Sequence, residues 1–261
     1  MNRDIIGWGS LAASIAFVVI AVAVTGRQRL GLGRPILVSV GRSLVQMAVV
    51  GFALVPIVKP STPLVWSWLW VGTIVVFAAI TTARRAPSVP GLFSVALLAN
   101  GLVGAVSFGI VYGLGIFHLE GRTLVPIAGM VIGNSMKAAV LAATRVTESV
   151  ADHRREIEAG LALGLTARQA SRRFLRSSLR TAISPQVEQT AALGVVVLPG
   201  AMTGLILAGT DPLEAIRAQL ALMYVILAGV VMAATTTGLG TLGRLTSSDE
   251  RIVHLERESL A

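Results

Sequence analysis

The sequence predicts an all-α, polytopic membrane protein, and three observations support this fold class. Hydrophobic residues make up 54% of the 261 residues and charged residues only 13%, whereas about a quarter of the residues in a soluble domain are charged. The mean hydropathy is +0.77. Several apolar runs reach the ~20 residues that a helix needs to cross about 30 Å of hydrocarbon. We expect one membrane domain over residues 1–261 in the plasma membrane.

Composition also narrows the partners of the chain. The net charge of +9 would favour nucleic acid binding in a soluble protein. Here the basic residues lie mainly in loops between apolar runs, so we expect contact with membrane lipid and none with nucleic acid. The chain has no cysteine, which excludes disulfides, thiolate metal ligands and cysteine nucleophiles.

Each predicted helix is an apolar run that ends at turn-forming or charged residues. The first run is longer than the apolar part of a signal peptide and no A-x-A cleavage site follows it, so we interpret it as a membrane helix. Gly and Pro punctuate the later connections. The seven predicted transmembrane helices cover residues 5–24, 36–58, 64–83, 89–117, 124 to the charged segment described below, 187–208 and 213–239.

The basic residues predict the orientation of these helices. Most of the 22 Lys and Arg residues fall in alternate loops and in the tail, residues 244–261. Short loops rich in Lys and Arg stay in the cytoplasm. We therefore expect the N-terminus outside the cell and the C-terminal tail in the cytoplasm.

A charged segment, residues 145–185, lies between predicted helices five and six and contains eight arginines. Gly164 suits the left-handed residue that ends a helix. Thr166 and Gln169 match an S/T-x-x-Q capping box, which opens a second helix reaching to about Ile183, before Pro185. Residues 146–185 are therefore predicted to form a cytoplasmic helix-turn-helix.

The second helix of this segment has two interpretations. It places Arg168, Arg172, Arg176 and Arg180 at successive i+4 positions, so one face is basic. A solvated or lipid-headgroup face is one interpretation. The other is a docking surface for a soluble partner.

The docking interpretation is based on a partial motif. Glu158-Ala159-Gly160, followed after three residues by Gly164, resembles the E-A-A-x3-G loop of ABC transporter permeases, with Gly160 in place of the second Ala. The resemblance implies that this loop contacts a separate ATP-binding subunit. The residues it assigns to ATPase coupling are Glu158, Gly164, Arg168, Arg172 and Arg176.

Motifs for ATP or dinucleotide binding give no support for an enzyme. The chain contains no G-x-x-x-x-G-K-[ST] sequence, so we expect no ATP site, no cofactor and no enzymatic activity of its own. Residues 238–243 match G-x-G-x-x-G, but they follow no strand, and we interpret them as the terminus of a membrane helix. The three histidines lie in loops or the tail and receive no role.

Polar residues within the predicted spans are the candidates for a substrate path. Such residues are costly in lipid and normally face a bundle interior or a cavity. We hypothesise that helix five and helix six face one another across a cytoplasm-facing cavity, although Lys137 and Glu188 could equally form a structural ion pair. The candidate path residues are Asn134, Ser135, Met136, Lys137, Glu188, Met202 and Thr203.

Two motif blocks connect these residues with a known family. Gly129-Met130-Val131-Ile132-Gly133-Asn134-Ser135-Met136 and Leu198-Pro199-Gly200-Ala201-Met202-Thr203-Gly204 resemble the FetB-type ABC permeases, putative iron exporters with plant relatives linked to aluminium tolerance. Lys137 and Glu188 stand where that family often has Asn. The resemblance implies a permease homodimer that a P-loop ATPase subunit drives to export iron, another metal or a small solute.

Other functional classes remain open from the residues alone. A secondary transporter or channel could use Lys137 and Glu188 as an ion relay. A membrane-bound enzyme is disfavoured because no nucleophile and base occur together. The residues do not themselves define a metal site, since only Met130, Met136 and Met202 offer soft ligands near the motif blocks.

Overall fold

The computed structural model of the chain describes residues 8–29, 31–57, 59, 61–194 and 199–246. These residues contain ten α-helices and no β-strand, which confirms the all-α prediction. In chain order the helices are α1 (Trp8–Arg27), α2 (Gly33–Ile57), α3 (Leu64–Arg85), α4 (Leu92–Gly113), α5 (Gly121–Asp152), α6 (Arg154–Ala162), α7 (Ala167–Ala170), α8 (Arg172–Ala191), α9 (Gly200–Leu207) and α10 (Pro212–Leu245).

The chain divides into two compact units, residues 1–59 and residues 60–261. The first unit contains α1 and α2, which pack against each other: a Cβ built on Gly33 would lie 3.5 Å from Val22 Cγ1. Arg29 and Gly31 have positive φ angles of 53° and 67° in the turn between them. Predicted helix one corresponds to α1, and its first residues, 5–7, lie outside the described residues.

The second unit is built around α5 and α10, with α3, α4 and α8 packed on them. Small residues allow the close contacts: Ala139 and Ala233 are fully buried, and a Cβ built on Gly229 would lie 3.0 Å from Val103 Cγ1. Without water to drive association, helices in a membrane pack through such close van der Waals contacts. The interior of this unit therefore has the composition expected of a membrane bundle.

Five described helices are long and apolar enough to cross a membrane, namely α2, α3, α4, α5 and α10. The 22 residues of α3 span about 33 Å, close to the hydrocarbon thickness of about 30 Å. Trp66 and Trp68 are exposed near the start of α3, as in the aromatic belts of membrane proteins. The chain is a multi-pass membrane protein.

The prediction of helix six as one continuous helix over residues 187–208 is wrong. α8 ends at Ala191, Gly194 has a left-handed φ of 84°, and α9 begins only at Gly200. Pro199 precedes α9 and has no backbone N–H to continue a helix. The eight residues of α9 span about 12 Å, too short for a crossing. The count of seven crossings stays a prediction.

Two other helix ends differ from the sequence prediction. The helix predicted to stop before Pro185 instead continues as α8 to Ala191, with Pro185 inside it, and a turn at Ser171 separates it from α7. Residues 238–243 are not a helix terminus either, because α10 runs on to Leu245. Gly238 allows close packing instead: a Cβ built there would lie 2.7 Å from Leu179 Cδ2 of α8.

The predicted orientation can be tested with single cysteines, because the chain has none of its own. Ser61, Arg85 and Leu163 are all exposed. We expect an impermeant maleimide added to intact cells to label Ser61→Cys but neither Arg85→Cys nor Leu163→Cys, since basic loops stay inside. Permeabilised cells should label all three. Labelling of Leu163→Cys in intact cells would contradict the predicted orientation.

Candidate functional site

The α6–α7 hairpin, residues 154–170, is a tight helical turn. Gly164 has a left-handed φ of 87°, as predicted, and its N–H donates to the Leu161 carbonyl at 2.9 Å. The predicted capping box is also present: the Gln169 N–H donates to Thr166 Oγ1 at 3.3 Å, and the Thr166 N–H donates to Gln169 Oε1 at 3.0 Å. These bonds fix the angle at which α7 leaves the turn.

Gly160 lies where α6 and α7 approach each other closely. A Cβ built on Gly160 would lie 3.1 Å from the Cβ of Ala170 and 3.5 Å from Leu165 Cδ1. The first of these distances is tighter than ordinary van der Waals packing, so an alanine at this position would require a small shift of Ala170.

An apolar side chain occupies the tip of the hairpin. Leu163 is 85% exposed and Leu165 is 45% exposed. The hairpin also carries charged groups: Glu158 pairs with Arg154 at 2.7 Å, and Arg168 is exposed. Exposed apolar groups on a surface that also carries charge are typical of protein docking sites. Leu163 was not predicted, although an apolar residue before a helix-ending glycine in a charged segment signals it.

The hairpin joins the bundle through one buried cluster, which we call the end cluster. It contains Ile157 of α6 and Phe174 of α8, which are 0% and 8% exposed. They pack where the ends of other helices meet, and the remaining members include Val89, Leu92, Val146, Val150, Leu242 and Leu245. The hairpin therefore shares one buried cluster with the ends of α4, α5, α8 and α10.

Phe174 makes the most specific contacts of the end cluster. The His153 ring stacks on it with centroids 4.3 Å apart and an interplanar angle of 27°. The Arg173 guanidinium lies 4.5 Å from the Phe174 centroid and also pairs with Glu156. Aromatic and cation–π contacts of this kind add to the burial of the ring. One side chain thus connects the end of α5, the start of α6 and the start of α8.

Lys137 and Glu188 lie at nearly the same height along the bundle. The Ser178 hydroxyl of α8 donates to the Arg145 carbonyl of α5 at 3.1 Å, which sets the register of the two antiparallel helices. At 1.5 Å per residue, Lys137 lies about 12 Å and Glu188 about 15 Å from this contact, in the same direction. The hypothesis that the two residues face one another across a cytoplasm-facing cavity stays a prediction.

Both residues also lie on the side of the α5–α8 pair that is turned away from α10. A Cβ on Gly229 of α10 would lie 3.2 Å from Ser135 Oγ, and Lys137 points about 200° away from Ser135 around α5. Leu179 contacts Gly238 of α10, and Glu188 points about 180° away from Leu179. We call this open side the polar face; it comprises Asn134, Lys137, Ser177, Thr181, Ser184 and Glu188.

The candidate path residues differ in how far they are buried. Lys137, Glu188 and Thr203 are exposed, and Asn134, Met136 and Met202 are half-buried. Ser135 is fully buried against α10, away from the polar face. Among the described residues, Lys137 and Glu188 do not form an ion pair within 4.0 Å.

The described residues offer no group of three or more His, Asp or Glu side chains that could hold a metal ion. The polar face itself carries one cation, Lys137, and one carboxylate, Glu188. Bare metal cations prefer several carboxylate, imidazole or thiolate ligands.

The residues assigned to coupling also fall on two elements. Glu158, Gly164 and Arg168 belong to the hairpin, whereas Arg172 and Arg176 belong to α8 beyond the turn at Ser171. All five are exposed. The row of arginines predicted for one helix is therefore divided between two helices: the short α7 of the hairpin and the long α8 of the bundle.

The fold and these features define a polytopic all-α membrane protein with an exposed helical hairpin at one end. The chain belongs to the uncharacterised protein family UPF0014, which it matches over residues 8–245. The resemblance to FetB-type permeases is confirmed at this level. No solved structure matches the chain.

Three relatives illustrate what the family contains. "UPF0014 membrane protein STAR2" of Oryza sativa subsp. japonica is 35% identical over 85% of this chain and 78% of its own length. "Probable iron export permease protein FetB" of Escherichia coli K12 is 32% identical over 87% of each chain. "Protein ALUMINUM SENSITIVE 3" of Arabidopsis thaliana is 29% identical over 87% of this chain and 82% of its own length.

The role of Phe174 in holding the hairpin can be tested by proteolysis. Phe174→Ala removes the stack on His153 and part of the end cluster, and buried Phe→Ala changes cost about 3–5 kcal/mol. We expect trypsin to cleave at Arg154, Arg155 and Arg168 much faster in this variant, as mass spectrometry of the purified protein would measure. Leu163→Ala is the control, since its side chain is exposed. Equal cleavage rates in both variants would contradict the anchoring role.

Proposed function

We propose that the chain is the membrane-spanning permease subunit of an ABC transporter, driven by a separate P-loop ATPase subunit. The observation that carries this proposal is the exposed hairpin with Leu163 at its tip, attached to the helix ends through the end cluster. A docking element needs both an exposed contact and a rigid connection to the moving parts. The name of the E. coli relative, a probable iron export permease, supports the same class.

The hairpin supplies the docking surface for the ATPase in this proposal. Leu163 enters an apolar groove of the partner, and Glu158 and Arg168 form the charged rim of the interface. Nucleotide-driven movement of the ATPase then displaces the hairpin, and Phe174 and Ile157 pass the displacement to the bundle. In this scheme the hairpin end of the molecule faces the cytoplasm.

The polar face provides the substrate path. Charged residues in a membrane span must meet water, a partner charge or another protein, because exposure to hydrocarbon is costly. Lys137 and Glu188 are exposed on the same side of one unit. A second copy of the chain facing the first would enclose this side, so we propose a homodimer with a water-filled route between the copies.

The proposed transport is export of iron or another small solute. Lys137 repels bare cations, and the described part of the polar face has no cluster of metal ligands. A metal would therefore cross as a chelate with neutral or negative charge. The iron in the name of the E. coli relative is compatible with such a chelate.

Docking predicts that this chain co-purifies with a P-loop ATPase encoded beside its gene when the two are co-expressed. We expect Leu163→Ser to weaken the complex by at least about tenfold, because central apolar contacts contribute most of the binding energy. Glu158→Lys with Gly164→Pro should abolish it, since proline cannot adopt a φ of 87°.

Leu207→Ser provides the matched control for docking, because Leu207 is 83% exposed on α9. This variant should bind the ATPase like the parent. Pull-down and surface-binding measurements on detergent-purified complexes would quantify all variants. Undiminished binding and ATPase coupling of the Glu158→Lys, Gly164→Pro variant would remove the hairpin from the interface.

The substrate path predicts that Lys137→Met and Glu188→Gln alter the stimulation of ATP hydrolysis by iron citrate in the reconstituted complex, while assembly stays intact. Ser135→Ala is the control because Ser135 points at α10, away from the polar face. We expect several-fold changes for the two polar-face variants and none for the control. Parental behaviour of both polar-face variants would place the path elsewhere.

The register of Lys137 and Glu188 also favours a second candidate, an ion relay in a secondary transporter or channel. The two functions differ in their energy source. If the chain is an ion relay, liposomes that contain only this chain will show an ion flux driven by a proton gradient. The substitutions Lys137→Met and Glu188→Gln would abolish that ion flux. Absence of flux without ATPase and ATP supports the permease.

A further inference from the structure

An open basic groove on α8 lies outside the hairpin and borders the polar face, with which it shares Ser177. It has a volume of about 560 Å³ and is lined by Arg176, Ser177 and Arg180. This volume falls within the range of about 300–1,000 Å³ that is usual for small-molecule sites. All three side chains are exposed.

The charges of this groove are uncompensated within the described residues. The ion pairs found there use Arg122, Arg145, Arg154 and Arg173, and neither Arg176 nor Arg180 takes part. The two arginines stand four residues apart on one helix face, where like charges repel. Glu188 is eight residues beyond Arg180, about 12 Å along α8. An anion between the two guanidinium groups would relieve this repulsion.

Contacts between α4, α8 and α10 show at what height along the bundle the groove lies. Arg244 of α10 donates to Ser94 Oγ at the start of α4 at 3.2 Å. Gly238, six residues earlier and about 9 Å further into the bundle, contacts Leu179 of α8. Arg176 and Arg180 flank Leu179 and so lie roughly two helical turns from Arg244 along the bundle. Arginines near a membrane surface extend toward water or phosphates.

We infer that Arg176, Ser177 and Arg180 form a binding site for a phosphate group at the hairpin end of the bundle. Guanidinium groups bind phosphate oxygens through paired, charge-assisted hydrogen bonds. The Ser177 hydroxyl has no hydrogen-bond partner among the described residues and can donate to a third oxygen. Such a group can come from a phospholipid headgroup or from a soluble phosphate compound.

The inference goes beyond the proposed permease function and does not depend on it, because it is tested by binding to the purified chain without an ATPase. In the lipid arm, the protein is purified in nanodiscs that mix phosphatidylcholine and phosphatidylglycerol, and retained phosphatidylglycerol is counted by native mass spectrometry. In the soluble arm, inorganic pyrophosphate is titrated into protein in nanodiscs of phosphatidylcholine alone.

Arg176→Gln with Arg180→Gln should lower binding by at least about tenfold in one or both arms, since several charge-assisted hydrogen bonds are lost. Ser177→Ala should cause a smaller loss in the same arm. Arg84→Gln with Arg85→Gln is the matched control. It removes the same charge from exposed arginines at the same end of the bundle, and it should bind like the parent.

The pattern of losses identifies the source of the phosphate. Loss confined to phosphatidylglycerol retention assigns the site to lipid headgroups, and loss confined to pyrophosphate titration assigns it to soluble esters; either supports the site. Equal losses in the Arg84→Gln, Arg85→Gln control, or parental binding by Arg176→Gln with Arg180→Gln in both arms, would overturn it. Thermal unfolding of each variant identifies any loss caused by misfolding, and the single Arg176→Gln and Arg180→Gln variants then repeat the test.

Discussion

An unpartnered polar group in hydrocarbon is costly, and this constraint decides how the second unit can be placed in a membrane. Helices α3, α4, α5 and α10 satisfy it by composition, since each contains an apolar stretch long enough to cross. α8 does not. It packs beside α5 and α10 yet carries Arg176, Arg180 and Glu188 on exposed positions. Its outward side needs water, headgroups or another protein.

This constraint also explains which parts of the fold were predictable from sequence. All five long apolar spans were predicted because hydropathy reports burial in lipid directly, although α5 and α10 run on past their predicted ends. Gly164 and the Thr166 capping box were found because local backbone chemistry determines them. Predicted helix six failed because its average composition is apolar, while Gly194 and Pro199 interrupt the helix locally.

The candidate site was predictable only in part, for a different physical reason. Lys137 and Glu188 could be identified from sequence because charged residues within a membrane span are rare. Their common height depends on the contact between Ser178 and Arg145, 33 residues apart in the chain, which no local pattern reveals. Ser135 has the same local context as Asn134 but points at α10. Leu163 was missed because a single leucine does not stand out by composition, although its place just before the helix-ending Gly164 signals an apolar group at the turn.

The length of α8 connects the two proposed working parts of the molecule. Phe174, near its start, is held in the end cluster by His153 and Arg173. Glu188 lies fourteen residues later, about 21 Å along the same helix, on the polar face. Pro185 removes one backbone hydrogen bond between them but leaves the helix continuous. A tilt of the hairpin that moves Phe174 therefore moves Glu188 relative to Lys137 on α5, because a helix transmits displacement more faithfully than a loop. In the proposed permease, α8 would in this way couple docking at one end to the width of the polar face at the other.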